Sequence, residues 1–581
     1  MVRGIASAPV LVALALAGCG SDAPREVEPR SRVSAVVVGS AATVRPAGAV
    51  AGAAGAVLVA ARNEFESFQV VVVAAGDEPV RELTVSFGEP LVGPGGATIP
   101  AGNVTIYRVG YYEVTTPSDP EGAPGRWPDP LVPAVDAIVG EPRDAFPVEV
   151  PAGENRVAWV DVLVPEDALP GVYRGSLDVR TAASSARVPV KLTVLALVLP
   201  STTRLASSFG LSGGACRALA GDRCDAEPGL AARIRERFVR VALDNRISLA
   251  NPHASPVPRD VGEAARELES VFLPYFDGTG STRLRGARLT TFQVNGHRDR
   301  NVAGWKDVVA RLGLEDRAYV WSCDEPFFFP VSGDPAGNWG VCRAKLEADH
   351  ASWPAARKMV TTHIQSTDEV GTTDLVDIIT LNIEFLHGRA DAGYLAGDQR
   401  PLYDAFLSSN GRPKALWLYS ACGSHGCGRN DDADTVGWAG GYQIDAPASR
   451  TRAMPWIAFS YRMGGILYYD TVMQLDRAWD DQYRFYGNGE GTLFYPGTPG
   501  RIRGTTPIPL ESIRLKLLRD GYEDYEYLAF LEDHGRGADA HRIARALFPA
   551  PFDTTRTDAE VQRARRELAT IVADLTGGPS P

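Results

Sequence analysis

Apolar residues change their period partway along the chain. From 33 to 200 they come in short β-branched or alternating runs, such as Phe68-Gln69-Val70-Val71-Val72-Val73 and 157–164, with Gly, Pro and Asp between them. Short runs at this spacing, with no helical period between, predict a β-sandwich. Pro170-Gly171 lies between two such runs and reads as a hairpin-type turn, since Pro presets its φ and Gly tolerates positive φ. From 201 onward strand-like segments at 205–209, 247–249, 288–294, 318–323, 358–364, 376–383, 415–419 and 465–469 alternate with mostly helix-compatible stretches. Eight such segments predict a (β/α)8 barrel over 201–480. The region 481–581 opens as a Gly/Asn/Tyr-rich loop and then turns helical. Ile513, Leu517, Leu518, Tyr522, Tyr525 and Leu528 form one stripe at helical spacing, and a last helix is expected near 558–575. The acidic run Glu523-Asp524-Tyr525-Glu526 reads as a solvated helix face, and Arg62-Asn63-Glu64 as a turn with surface charges.

The first residues stand outside this pattern. Arg3 precedes an apolar run at 8–17 that is too short to span a bilayer. Leu16-Ala17-Gly18-Cys19 resembles a bacterial lipobox. That resemblance implies a signal peptide at 1–19 cut before Cys19, lipidation of Cys19, a polar tether at 20–32, and anchorage to a bacterial membrane on the periplasmic face or cell surface. Gly20 rather than Asp follows the cysteine, which leaves outer-membrane delivery open. Six cysteines remain, and an even number in an exported chain predicts disulfides. Cys216/Cys224 and Cys422/Cys427 are close enough to pair locally, leaving Cys323/Cys342 to tie a strand to the next helix. The run Cys422-Gly423-Ser424-His425-Gly426-Cys427 has no second ligand pair nearby, so no metal is expected there.

At 581 residues the chain is too long for one core. Lys and Arg number 59 against 71 for Asp and Glu, a net charge of -12 with no basic cluster, which excludes a nucleic-acid surface. Ten Trp and 19 Tyr suit a carbohydrate-facing protein and a large core equally.

The chemistry centres on Tyr319-Val320-Trp321-Ser322-Cys323-Asp324-Glu325-Pro326, where an apolar run ends in two carboxylates and a proline. Alternation points neighbouring strand residues to opposite sides, but at a frayed C-terminal end both acids can lean into one cleft. Paired carboxylates are a common way to build an acid and its helper. In a barrel this run is the fourth strand, and chemistry sits at strand C-terminal ends. Other predicted strand ends carry His253, His363, Asn382, Glu384, Trp417, Tyr419, Tyr469 and Asp470, which together make a floor for a sugar.

Four stretches resemble glycoside hydrolase family 123 and the related domain-of-unknown-function family 4091. They are Arg62-Asn63-Glu64-Phe65-Glu66-Ser67-Phe68-Gln69, Asp324-Glu325-Pro326, Gly465-Ile466-Leu467-Tyr468-Tyr469, and Asn488-Gly489-Glu490-Gly491 through Tyr495-Pro496-Gly497. The last leads into Ser512-Ile513-Arg514-Leu515 and 518–528. The resemblance implies an exo-acting β-N-acetylgalactosaminidase using substrate-assisted catalysis and no cofactor. It implies Glu325 as general acid/base and Asp324 as the residue that positions the 2-acetamido group. Tyr419 or Tyr469 is placed to donate to the acetamide oxygen, and Trp321, Trp417 or Trp479 to wall the sugar. Two other readings stay open: a retaining glycosidase with Glu384 as nucleophile, and a non-catalytic surface glycan-binding protein. A conventional retaining enzyme holds a second carboxylate about 5–5.5 Å from the acid, yet Leu418-Tyr419-Ser420 supplies none and Glu384 is the obvious rival.

Overall fold

The computed structural model describes residues 34–74, 76–253, 260–294, 302–327, 338–409, 411–425 and 433–581. The expected signal segment, tether and lipid-bearing Cys19 lie outside them. Among the described residues no helix is long and apolar enough to cross a membrane.

Two sheets face each other in the N-terminal region. One joins Ser34–Gly39, Glu64–Val73, Asn155–Val164, Val104–Val114 and Gly125–Pro133 in that order. The other joins Ala56–Arg62, Ser185–Val198, Gly171–Arg180, Val80–Ser86 and Val148–Val150. Val70, Val72, Val160 and Val162 of the first sheet meet Leu177, Leu192 and Val194 of the second in one core. Alternation sends Val71, Val157 and Trp159 to the opposite face, where they pack under a C-terminal helix instead of facing water. Pro170-Gly171 makes no hairpin, because the strands before and after it belong to different sheets. Turn chemistry sets the local bend, not the strand with which the chain pairs next.

Seven parallel strands follow: β1 (Ala206–Phe209), β2 (Phe292–Gln293), β3 (Ala318–Asp324), β4 (Arg357–Thr361), β5 (Ile378–Asn382), β6 (Ala415–Tyr419) and β7 (Gly465–Tyr468). Their order is β1-β7-β6-β5-β4-β3-β2. Residues 247–249, the expected second strand, sit with Ala250 in the remaining gap. Phe209 N donates to Ser248 O at 3.0 Å, and Gln293 N donates to Ala250 O at 2.7 Å. They form a single bridge, Phe209 to Leu249, and Pro252 stops the run. The barrel is thus nearly closed by seven regular strands where eight were expected.

Helices among the described residues include α1 (Leu230–Asp244), α2 (Val302–Leu312), α3 (Trp339–Ser352), α4 (Ala448–Ser460), α5 (Ile513–Asp533) and α6 (Asp558–Thr576), with Gly537–Leu547 between the last two and shorter segments elsewhere. Here too the expected regular alternation is incomplete. Among the described residues, β4 is followed by Ile364–Glu369 and one 3-10 turn, and β5 by 3-10 turns, a two-residue strand pair and Asp404–Leu407, with no long helix in either connection. Gly388, Gly393, Gly397, Pro401, Gly411 and Pro413 punctuate that second connection and prevent a long helix.

α5 joins the regions. Ser512 Oγ caps it by accepting from Leu515 N at 3.2 Å. Arg519 and Lys516 lie 2.9 and 2.8 Å from Asp161 of the first sheet. Asp161 also accepts from Ser67 Oγ and Trp159 Nε1, both at 2.7 Å. Glu523 accepts from Phe65 N at 3.0 Å and pairs with Arg246 at 2.9 Å. Asp524 pairs with Arg452 at 2.7 Å and with Arg565 of α6 at 2.8 Å. Arg565 reaches on to Glu64 at 2.6 Å. Glu64, Glu523, Asp524 and Glu526 are all buried, as is Asn63. The two stretches expected at the surface are therefore interior. Each carboxylate there meets a partner from a distant part of the chain, which no local pattern reveals.

Removing one side of such a pair strands the other in the core. Asp161→Ala is expected to cost about 3–5 kcal/mol, read as a lowered denaturation midpoint. Asp178→Ala, which breaks an exposed pair with Arg180, serves as control and should leave the midpoint nearly unmoved.

Candidate active site

The alternation of β3 breaks where the acids begin. Tyr319 and Trp321 point into the barrel with Met359, Trp417 and Tyr419, while Val320 points out onto the helices with Val360 and Ile379. Trp321 is level with Met359 but Cys323 is level with Val360, so Ser322 is an extra residue, a β-bulge. Beyond it the phase is inverted. Cys323 points outward and is bonded to Cys342 of α3, and Asp324, level with Thr361, points in. Glu325 then takes a left-handed φ of 44°. That turn keeps its side chain beside Asp324, where a further extended residue would carry it to the far side.

Thr361 joins the two acids. Its hydroxyl donates to Asp324 Oδ1 at 2.8 Å and accepts from Glu325 N at 2.9 Å. The acids are unequal: Asp324 is exposed and Glu325 is only 6% exposed. The Tyr419 hydroxyl donates to Glu325 Oε1, and Ser424 bonds the same carboxyl. Burial is the largest influence on Glu325 and pushes its carboxyl above the ordinary range. The Ser424 and Tyr419 bonds pull it down, and the charges of Asp324 and Glu384 push it up. Tyr419, buried against Glu325, is itself held well above its usual range and stays a donor. A buried carboxyl held above the ordinary range keeps its proton to higher pH than a solvated one, as a general acid requires.

Asn382 and Tyr419 are level with each other on β5 and β6. Asn382 is 1% exposed, and its Oδ1 has no partner among the described residues. Glu384 is near enough for its charge to act on Glu325, Tyr419 and His363. His363 stacks on Phe385 at 4.3 Å, and burial lowers its pKa, favouring the neutral ring. Trp417 lies a layer deeper, edge-on to Tyr319 at 5.2 Å. Trp321 donates from Nε1 to Cys323 O at 2.9 Å, bracing the bulge. Tyr469 follows β7 and bonds Glu490. Asp470 accepts from Thr471 N and Val472 N at 2.7 and 3.0 Å, so it caps a turn.

Two residues expected at the site lie elsewhere. His253 packs against Phe292 and Trp305 at 5.2 and 4.8 Å, on the helix side of the barrel. It follows the irregular segment 247–250, where the backbone does not sustain alternation. Trp479 packs with Val132, Tyr495 and Ile502, where the first sheet meets the C-terminal region. Cys216 and Cys224 are bonded as expected. Cys422 is also in a disulfide, and its expected partner Cys427 lies outside the described residues. Among the described residues no cluster of His, Cys, Asp and Glu could hold a metal.

Thr361, Ser424 and Glu490 were not expected at the site. Glu490 accepts from Cys422 N at 3.0 Å and from Tyr468 Oη at 3.4 Å, tying the loop that carries Ser424 to the end of β7. Burial pushes its carboxyl up to about 7. Nothing local to Asn488-Gly489-Glu490-Gly491 separates it from a surface turn. Its role depends on two segments that the chain brings in from elsewhere.

Glu490 should leave a mark on stability. Below its ordinary 4.5 both folded and unfolded chains hold the proton, and between 4.5 and about 7 only the folded chain does. Stability from this group therefore falls as pH rises through that window and levels off above it. Glu490→Gln should gain on wild type in thermal melts of the full chain as pH goes from about 5 to about 7. A constant difference between the two proteins across that range would refute the assignment.

No protein-family model and no curated protein matches the sequence. Solved structures do. A family 123 glycoside hydrolase from Clostridium perfringens superposes with a TM-score of 0.64 at 12% identity, covering 94% of this chain and 99% of that one. A Parabacteroides merdae β-glucuronidase at 11% identity covers 80% of this chain and 50% of its own, with a TM-score of 0.26. A family 2 member from Bacteroides cellulosilyticus, also 11% identical, covers 71% and 44% with a TM-score of 0.24. The last two superpositions are too poor to carry an argument. Over nearly its whole length, this chain has the fold of a family 123 glycoside hydrolase.

Proposed function

We propose that this protein is a glycoside hydrolase of the family 123 type, acting at terminal β-linked 2-acetamido sugars, N-acetylgalactosamine foremost, with retention of configuration. The observation that carries this reading is the unequal pair: buried Glu325 and exposed Asp324, joined through Thr361 at the C-terminal end of a barrel strand. Loops converge at that end of a barrel, and substrates bind there.

In the proposed reaction Glu325 gives its proton to the glycosidic oxygen as the bond to the anomeric carbon breaks. The substrate's acetamide oxygen attacks that carbon from the other face, and Asp324 accepts from the acetamide N–H to favour attack. The leaving alcohol departs with the proton, and an oxazolinium ion remains with its N–H held by Asp324. Glu325, now ionised, takes a proton from water as the water opens the ring at the anomeric carbon, which restores the acetamide and the starting configuration. No enzyme nucleophile is required. The unpartnered Asn382 Oδ1 suits a substrate hydroxyl or N–H.

With 247–250 counted as a degenerate strand, the barrel is a distorted (β/α)8. The lipobox-like start and the disulfides fit an exported, lipid-anchored enzyme meeting glycans outside the cytoplasm. Glycolipid glycan hydrolysis in the Clostridium perfringens protein is the same class of reaction. Glu384 supports a second reading, as enzyme nucleophile, because its charge acts on Glu325.

Glu325→Gln should lower kcat on an aryl N-acetyl-β-galactosaminide by about 10³-fold; turnover near wild type would sink the assignment. A thiazoline analogue of the sugar should inhibit tightly, and a 2-deoxy-2-fluoro glycoside should leave no adduct. Mass-spectrometric detection of an adduct on Glu384 would move the nucleophile to the enzyme. Tyr419→Phe removes a donor that holds Glu325 down, so Glu325 should titrate higher and the alkaline limb of kcat/KM should move to higher pH.

A further inference from the structure

A hairpin beside the acid breaks a strong rule of turn chemistry. Tyr483–Arg484 pairs with Gly487–Asn488, leaving Phe485 and Tyr486 as a two-residue loop. Both are left-handed, at φ 48° and 69°. Such loops favour Asn-Gly, because Asn and Gly tolerate positive φ, whereas large aromatic residues resist it. Both side chains are nevertheless held out to solvent, 41% and 61% exposed.

The base of the hairpin is fixed firmly enough to impose this. Gln482 N donates to Tyr112 Oη at 2.9 Å. Asn488 N donates to Ser118 Oγ at 2.8 Å, and Asn488 Nδ2 donates to Thr116 O at 2.9 Å. Ile444 N donates to Asn488 O at 2.8 Å. Strained backbone persists only where its surroundings over-determine it, and it concentrates at ligand sites.

The tip also lies next to the catalytic machinery. The Phe485 ring packs against Gly423, where an added Cβ would lie 3.5 Å from it. Ser424 follows directly and bonds the Glu325 carboxyl. The Arg484 guanidinium lies 4.6 Å from the centre of the Phe485 ring. Phe485, on a rigid tip against the segment that holds the acid, and Tyr486, next to it in the turn, are exposed rings that suit the flat C–H face of a pyranose. We propose that Phe485 and Tyr486 form a stacking platform for the sugar on the leaving-group side of the scissile bond. The platform depends on the reading of Glu325 as the acid that protonates the glycosidic oxygen. It gives two residues of this chain, both outside the barrel, a part in recognition past the terminal sugar.

The test compares two substrates whose leaving groups are both alcohols. One is a disaccharide with β-linked N-acetylgalactosamine on galactose, and the other is methyl N-acetyl-β-galactosaminide. Phe485→Asn/Tyr486→Gly installs the dipeptide the turn prefers, so the hairpin is kept while the rings are removed. The ratio of kcat/KM, disaccharide over methyl glycoside, should fall about tenfold or more in this variant. Phe485→Ala should lower it in the same direction. A ratio within about twofold of wild type overturns the platform while leaving the glycosidase reading intact. If wild type cleaves neither substrate, the glycosidase reading fails and the platform falls with it.

Discussion

Asp161, at the outer face of the first sheet, holds Arg519 and Lys516 of α5 in a core that excludes water. Each of these charges costs several kcal/mol to desolvate, and only its partner offsets that cost. The sheet, the barrel and the C-terminal helices therefore cannot slide past one another without stranding a charge. The same helix extends this constraint toward the site. Arg514 pairs with Asp129 of the first sheet at 2.7 Å and donates to Gly489 O at 2.9 Å. Gly489 precedes Glu490, which holds the loop of Cys422 and Ser424, and Ser424 bonds Glu325. A sheet with no residue in the site thus has a contiguous set of buried polar contacts leading to the acid.

What could be read from the chain was whatever depends on near neighbours. Alternation marked the two sheets, the strand–helix change marked the barrel, and an apolar run ending at Asp324-Glu325 marked the candidate site. Cys323 and Cys342, 19 residues apart, were the pair left once the two local pairs were set aside, and they are bonded. The buried charges were misjudged for the complementary reason. Asp161 and Arg519 are 358 positions apart. An acid in isolation looks solvated, and only the partner makes the interior tolerable. Thr361 was invisible in the same way. A threonine in a strand is ordinary until the register sets it level with Asp324.

The barrel shows where pattern and backbone part. All eight predicted segments occupy positions around the ring, yet 247–250 is too irregular to be a strand, and the connection after β5 lacks a full helix. Apolar spacing placed those segments correctly but could not say which way their side chains face. His253, after the irregular segment, went to the helix side. Tyr419, at the end of a regular strand, went to the acid.

The acids themselves are shaped by one departure from strand geometry. A regular strand would present either Asp324 or Glu325 to the barrel, not both. The extra residue at Ser322 turns Cys323 out to its disulfide and Asp324 in to Thr361. The left-handed turn at Glu325, a conformation that costs about 1–3 kcal/mol, then folds the second carboxyl back beneath the first. Thr361 accepts from the Glu325 backbone and the Cys323–Cys342 bond holds the strand end, so the strained conformation has little room to relax. That fold is also what buries one acid and leaves the other in water. The difference in burial, more than the repulsion between the two charges, is what raises Glu325. Placement and inequality therefore share one cause, and straightening the strand end would remove both together.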